Sequence, residues 1–447
     1  MAGRATPWDV EASDLDAVAD QIVEEVCRAA VAAKESAAYD WWKVLFALYP
    51  NSRATHSKRP HDPAVLREAL RELFVAGALE EGTARPCTFC GVPTTVTWTK
   101  SNLPMFDTNK ALNTLPPGVP GRPVCRGCRI AMWALPYGAW VTARSATVLS
   151  CETEAAERDF AERNVRRARR IMQLGFENLG ASTRPELVTL RALRAARTEL
   201  AATTLWSFKN DNQEPWLRVT RARRAVPRFL AVVEGNAPLR RAWRLLELWL
   251  TRRDKAGKVT SAGSAQAARL LFEAEDGRST SFLFQLCQLL NDKERPRYTR
   301  DEADLMRLAR TYTKEILGME LDLQPVATLL ADWIQHGSGS PRGRWAEYYN
   351  VSQNGYRLGL LLNQAQNRLM LDGREVPATA DDWKPLIGRH AGSWEHRLLL
   401  SPTVAQILAE RGVRLSDRVT DEEERRVRAA TESPILGYED DEANGPS

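Results

Sequence analysis

Two short runs are the part of this chain most able to do chemistry: Cys87-Thr88-Phe89-Cys90 and, after a gap of 34 residues, Cys125-Arg126-Gly127-Cys128. A two-residue gap lets both thiolates of a pair face one metal ion, and two such pairs complete a tetrahedral shell of four sulfurs. Gly91 and Gly127 suit tight knuckle turns, and Pro86, Pro93 and Pro123 flank them. The competing readings are four buried free thiols or a redox pair, and two matched pairs disfavour both. The expected cofactor is one Zn2+ on Cys87, Cys90, Cys125 and Cys128. A closed four-thiolate shell leaves no open coordination position, so this zinc is expected to be structural.

Other active-site patterns are missing from the sequence. Some metal-dependent nucleases place a His-Asn-His site between two cysteine pairs, but no histidine occurs from Gly91 to Val124. The five histidines, His56, His61, His336, His390 and His396, all lie away from the cysteines in sequence. The nearest approach to a phosphate-binding loop is Gly257-Lys258-Val259, and position 252 is Arg where that loop needs Gly. Neither Gly-x-Ser-x-Gly nor His-Glu-x-x-His occurs. The expectation is a binding protein and not an enzyme.

Charge points to a polyanionic partner. Residues 151–260 hold 23 lysines and arginines against 13 acids, and residues 421–447 hold 3 against 9. Arg163, Arg166, Arg167 and Arg170 recur at steps that share one helix face, a stripe suited to phosphates. The bland reading pairs that stripe with Glu157, Glu162 or a neighbouring acidic helix. A second cluster, Arg218, Arg221, Arg223, Arg224 and Arg228, follows Lys209, Asn210, Asn212 and Gln213. Amides there can read base edges, or can simply favour a turn. Lys100, Asn102, Asn109, Lys110 and Asn113 stand on the segment between the cysteine pairs and are further candidates for nucleic-acid contact. Most of the 14 tryptophans are expected in the core, with one or two left to stack on bases.

The elements that must position these residues are mainly helical. At 447 residues with 44% hydrophobic residues, the chain can bury a sizeable core. No secretory signal is expected, and the longest apolar stretch, Ile130–Ala143, is broken by Pro136 and Gly138. A soluble cytoplasmic protein is expected. The fold class expected is mainly α with a smaller α+β part, a zinc-ribbon-like insertion near the N-terminus and a C-terminal helical bundle. The divisions expected are a helical region over 1–82, the zinc-binding insertion over 83–140, a basic mixed region over 141–260, the bundle over 261–417 and a disordered acidic tail over 418–447. Helices are expected over Ser13–Lys34, Tyr39–Leu48, from Asp62 through Phe74, Glu152–Leu179, Leu187–Leu200 and Ala237–Leu250. Thr203–Phe229 reads as strand, turn and strand, and Thr251–Gly263 as an exposed loop.

Four motifs occur in a fixed order: the Cys87–Cys90 pair, Ser101-Asn102-Leu103-Pro104, Pro123-Val124-Cys125-Arg126-Gly127-Cys128, and Ala134-Leu135-Pro136-Tyr137-Gly138. This order resembles the CXXC–CXXC family of large subunits of Cascade, the type I-A and I-B CRISPR surveillance complex. Leu205–Pro215 is similar to that family's aromatic–Asn–Gln–Pro strand-turn, and Leu103 stands where the family usually has an aromatic residue. The resemblance covers 86–139 and, more weakly, 203–217. It implies a non-enzymatic subunit that contacts the 5′ end of CRISPR RNA beside the repeat-handle-binding subunit. It further implies recognition of the protospacer-adjacent motif on double-stranded target DNA, help in opening the duplex, and recruitment of the helicase-nuclease. Backbone and small subunits would be the other partners, the small one sometimes translated from an internal start such as Met306 or Met319. Two alternatives remain open from the sequence: a stand-alone zinc-ribbon nucleic-acid-binding regulator, and a divergent metal-dependent nuclease.

Overall fold

Apolar residues at three- and four-residue steps, closed by polar caps, set the first helices. The computed structural model describes residues 11–75, 77, 84–99, 102–104, 121–177, 179, 184–210, 215–274, 282–291, 299–319, 322–337, 340–388 and 392–413. The chain divides into two compact units, residues 1–196 with 203–221, and residues 197–202 with 222–447. The acidic tail expected from residue 418 onward lies outside the described residues.

In the first unit, α1 (Ala12–Val31) opens with a capping box between Glu11 and Asp14. Helix α2 (Ala37–Leu48) buries Trp41, Trp42, Val44, Leu45 and Leu48. Helix α3 (Pro63–Glu72) starts at Asp62, whose carboxylate accepts from the Ala64 amide at 2.8 Å, with Pro63 where a missing N–H costs nothing. Two small antiparallel ladders follow: β1 (Arg85–Pro86) with β2 (Pro93–Thr94), and β3 (Thr97–Trp98) with β4 (Arg122–Pro123). Helix α4 (Arg126–Gly138), β5 (Trp140–Val141), β6 (Ala146–Cys151), α5 (Glu154–Leu174), α6 (Pro185–Ala195), β7 (Thr203–Lys209) and β8 (Trp216–Ala222) complete it. The strands lie in the order β5-β6-β7-β8. The β6–β7 register runs from Ala146 opposite Phe208 to Cys151 opposite Thr203.

Helix α4 continues through Pro136, although the sequence suggests a stop before it. A proline inside a helix leaves the carbonyl four residues earlier without its donor. That carbonyl belongs to Met132, and the buried Tyr49 hydroxyl donates to it. The Tyr49 ring stacks on Trp133 with centroids 4.3 Å apart and planes 8° from parallel. One tyrosine therefore supplies both the missing donor and packing against the helix beside its proline. Tyr49 lies in the same core as Trp41, Leu45, Leu66, Leu70, Trp98, Val124 and Ile130, so the segment around the cysteines is built into the helical core of its unit.

The second unit holds α7 (Val226–Gly235), α8 (Ala237–Leu250), β9 (Arg252–Arg253), β10 (Val259–Ser261), α9 (Gly263–Leu270), β11 (Phe272–Ala274), α10 (Phe282–Asn291), α11 (Thr299–Leu317), α12 (Gln324–His336), α13 (Pro341–Val351), α14 (Gly355–Leu371), α15 (Ala380–Ile387) and α16 (Ser393–Glu410). Phe229, Trp243, Phe282 and Tyr312 form an aromatic cluster, Phe282 and Tyr312 stacking at 4.6 Å. Helix α12 packs against α13, α14 and α16. The architecture is thus mainly α, sixteen helices among the described residues, with a small sheet part and a helical C-terminal bundle.

Two local expectations change. The second strand of the 203–229 region ends at Ala222, and α7 begins at Val226 because Pro227 presets a first helical turn. The polar stretch 251–263 is no open loop. It pairs β9 with β10 around a turn in which Asp254 accepts from the Ala256 and Lys258 amides.

Candidate metal centre

Local backbone preferences bring the four cysteines together. Cys87 follows β1 and its amide donates to the Val92 carbonyl at 2.9 Å, while the Gly91 amide returns to the Cys87 carbonyl at 2.9 Å. Gly91 has φ of +77°, a conformation glycine adopts without steric cost. The Thr88 amide donates to the Pro123 carbonyl, which ties the first knuckle to the strand entering the second. Cys125 is the N-cap of α4 and Cys128 lies in its first turn. Gly127 therefore sits in a helical turn and not in a left-handed one, which corrects its expected knuckle role.

The four Sγ atoms all lie within 4.8 Å of one another, and Cys90 and Cys125 approach to 3.4 Å. A disulfide would need a bond of about 2.05 Å. A metal–sulfur distance of about 2.3 Å puts tetrahedral sulfurs about 3.8 Å apart, so the spacing fits a four-sulfur shell. Cys87 is buried, Cys125 and Cys128 are half-buried and Cys90 is exposed.

The electrostatics also favour a cation. Burial opposes ionisation of Cys87, yet the amides of Cys125, Phe89 and Cys90 aimed at its sulfur bring its pKa to about 6. Burial, and then the crowding of neighbouring sulfurs, raises Cys125 and Cys128. Four sulfurs this close cannot all ionise unless positive charge sits among them, and a divalent ion supplies it. Arg126 and Arg129 lie on the same helix as Cys128. Arg129 is only 1% exposed and burial lowers its pKa, while the nearby Cys125 favours its charged form. Its guanidinium donates to the Leu73 carbonyl at 2.6 Å and the Val75 carbonyl at 2.8 Å. Arg126 donates to the Phe74 carbonyl at 2.7 Å and pairs with Asp16. The carbonyls left open after the end of α3 are thus met by arginines of the cysteine-bearing helix. The donor set fits a metal ion, and Arg129, whose charge interacts with Cys125, would offset part of the negative charge of four thiolates.

The residues expected to touch nucleic acid separate into three groups. Lys100, Asn109, Lys110, Asn113, Asn212 and Gln213 lie outside the described residues. Arg218, Arg221 and Arg224 are exposed, Lys209 and Asn102 are half-buried, and Arg166 is exposed on α5. The others turn inward. Asn210 is 1% exposed and its side-chain amide donates to the Leu48 carbonyl at 2.9 Å and the Leu103 carbonyl at 3.2 Å. Its donors are spent inside the fold, which corrects its role as a base-edge reader.

The arginine stripe is likewise split. Phe160, Asn164, Ala168 and Ile171 define the buried face of α5, and this rotates Arg163 and Arg167 to its edge. Arg163 is buried and pairs with Asp159. Arg167 lies 3.9 Å from the Trp140 ring centroid and donates to the Val141 carbonyl at 3.3 Å. Burial, with Arg170 adjacent, lowers its pKa to about 10. Arg170 is half-buried. A four-arginine phosphate stripe does not form. Only Arg166, joined by Arg169, is fully on the exposed side.

Sequence reasoning missed three contributors: Tyr49, Arg126 and Arg129. Pro136 inside an apolar helix was the available signal for a side-chain donor such as Tyr49. No sequence signal marks the arginines, because their partners are carbonyls more than 50 residues away. No protein-family model, no curated protein and no solved structure matches this chain. Among the described residues, no helix is long and apolar enough to cross a membrane.

Proposed function

We propose that this chain is the large subunit of a type I CRISPR RNA-guided surveillance complex and that Cys87, Cys90, Cys125 and Cys128 hold one structural zinc ion in it. The observation that carries the reading is convergence. The ordered motifs of the family meet around one core: the cysteine pairs share a cluster, Leu103 of the Ser-Asn-Leu-Pro element accepts from Asn210 of the strand-turn, and the helix carrying Leu135-Pro136 is braced by Tyr49. Leu103 and Asn210 stand 107 residues apart and interact directly, so two of these motifs are joined in the fold.

In this reading the protein binds and makes no bonds. Zinc fixes the insertion, so that residues between the two cysteine pairs meet duplex DNA at the protospacer-adjacent motif. Exposed arginines of β8 and α5 hold phosphates and say nothing of sequence, while the guide RNA reads the target by pairing. The guide RNA 5′ end, the repeat-handle-binding, backbone and small subunits, and the helicase-nuclease are the partners, all in the cytoplasm.

Co-expression with the products of adjacent genes, purification through a tag on this chain and sequencing of bound RNA tests the proposal. Repeat-derived RNA of uniform length with several protein partners is expected. A lone protein without RNA, from a complete set of neighbours, would overturn it and favour a stand-alone zinc-ribbon regulator. Cleavage of nucleic acid on adding Mg2+ or Mn2+ would favour a nuclease.

A further inference from the structure

We infer that the outer side of α14 is the docking site of this chain's own C-terminal segment, with Ile435, Leu436 and Tyr438 lying on its apolar residues and the acids that follow facing Arg357. Helix α14 exposes Tyr356 (76%), Leu360 (55%), Met370 (60%) and Leu371 (82%). Among the described residues, no other helix or strand exposes more than two large apolar side chains. Single exposed apolar residues are ordinary, whereas several on one face mark a contact surface. The four share one side of the helix with Asn363, Gln364 and Asn367, and no charged residue stands among them. The opposite side buries Leu358, Leu362, Ala365 and Leu369. It also runs so close to α15 that a Cβ on Gly359 would meet the Ile387 side chain at 3.3 Å. The rotation of α14 is thereby fixed with its apolar side in water.

The chemistry of this side selects its occupant. The amides of Gln364 and Asn367 donate and accept, which suits the backbone of an incoming peptide segment. Arg357 is exposed at the N-terminal end and, among the described residues, pairs with no carboxylate. The helix N-terminus adds positive charge there. At the other end Arg368 pairs with Asp372 at 3.1 Å and Arg374 stands beside Glu375, so charge is balanced. The matching occupant is a peptide with an apolar run joined to acids. Residues 414–447 lie outside the described residues, and their sequence holds such a stretch: Pro434-Ile435-Leu436-Gly437-Tyr438, then Glu439-Asp440-Asp441-Glu442. From Val413, the last described residue, 22 positions lead to Ile435, a tether that spans up to about 70 Å. A unit of this size has a radius of gyration of about 17 Å, so the tether is long enough. Helix α12 packs against both α14 and α16, so the tether begins one helix away. Tethering holds the segment at about millimolar local concentration, an advantage that no separate protein has. This docking needs neither nucleic acid nor metal, and its failure would leave the proposed function standing.

The test uses the full chain and hydroxyl-radical footprinting, which reads the water access of Tyr356 and Leu360 by peptide mass spectrometry. Both are expected to be modified about 10-fold more slowly in the wild type than in the double variant Ile435→Asp, Leu436→Asp. That is the ratio for a segment at about 1 mM effective concentration that binds with a dissociation constant of about 0.1 mM. Arg357→Glu should lose much of the protection at Leu360, and Arg357→Lys should keep it. A cooperative melting transition in each variant shows that the fold survives. With p-benzoylphenylalanine in place of Leu360, light should crosslink the helix to residues 434–442 of the same chain, at a yield independent of protein concentration. Equal modification rates in the wild type and the double variant overturn the docking. Crosslinks to a second copy, rising with concentration, or to a co-purifying protein overturn it as well and assign the face to that partner.

Discussion

Asn210 shows how a residue type can suggest one role while its surroundings assign another. An asparagine after an aromatic strand looks like a base reader, but its side-chain amide donates to two carbonyls, those of Leu48 and Leu103. Arg167 makes the same point for charge. Its guanidinium is held between Trp140 and a backbone carbonyl, where it anchors α5. Arg167→Met is therefore expected to leave the salt dependence of DNA binding unchanged. The double variant Arg166→Glu, Arg169→Glu should lower its slope by about 0.9 for each duplex phosphate that is no longer neutralised. Titrations at three or more salt concentrations decide between them. His396 on α16 carries a pH effect. Both ring nitrogens are buried without hydrogen-bond partners, and burial lowers its pKa, with Glu395 acting in the opposite sense. The folded state thus favours neutral imidazole. Its contribution is fully present above the unfolded value of about 6.5 and is lost as the pH falls from there through the lower folded value. The urea midpoint of the wild type should fall between pH 7.5 and pH 5.5, and that of His396→Gln should fall less.

Helix α4 is the element on which the site depends, since it supplies two cysteines, two arginines and the stacked Trp133. Tyr49→Phe keeps the stack on Trp133 but leaves the Met132 carbonyl without a donor. Equilibrium unfolding should show a loss of about 1–3 kcal/mol. Arg129→Met removes the donors to the Leu73 and Val75 carbonyls and the charge facing the sulfurs. It is expected to destabilise the chain by about 1–3 kcal/mol, the scale of leaving buried carbonyls without donors, and to speed loss of metal to a chelator. A chelation rate equal to that of the wild type would contradict the second-layer role. The elements themselves were largely legible. The stripe Leu66, Leu70, Leu73 and Phe74 and the cap Asp62 mark α3 directly, and the paired cysteines mark the cluster. The path of α4 through Pro136 was not legible, because the compensating donor comes from Tyr49, 83 residues earlier in sequence. The split of the arginine stripe was not legible either. Helical spacing fixes which residues share a face, and it takes the neighbours Trp140 and Asp159 to fix which face is buried.

At the scale of the molecule, the two units carry different kinds of order. The first joins helices, small ladders and the cysteine cluster into one core, and the exposed aromatic and basic residues of β8 belong to its sheet. The second is a helical assembly with an aromatic cluster, a half-buried ion pair of Arg241 with Asp301 and a buried one of Arg244 with Glu247. Neither the net charge of +5 nor the total composition reveals this division. It follows from where the apolar residues of each segment find partners. The four-cysteine cluster of the first unit, proposed to hold one zinc ion, is the feature on which the proposed function stands. Zinc K-edge X-ray absorption on the purified full chain, with metal content measured on the same sample, tests it most directly. One zinc per chain, bound by four sulfurs at about 2.3 Å, is the expected result. Substoichiometric metal, or a shell containing nitrogen or oxygen ligands, would contradict it.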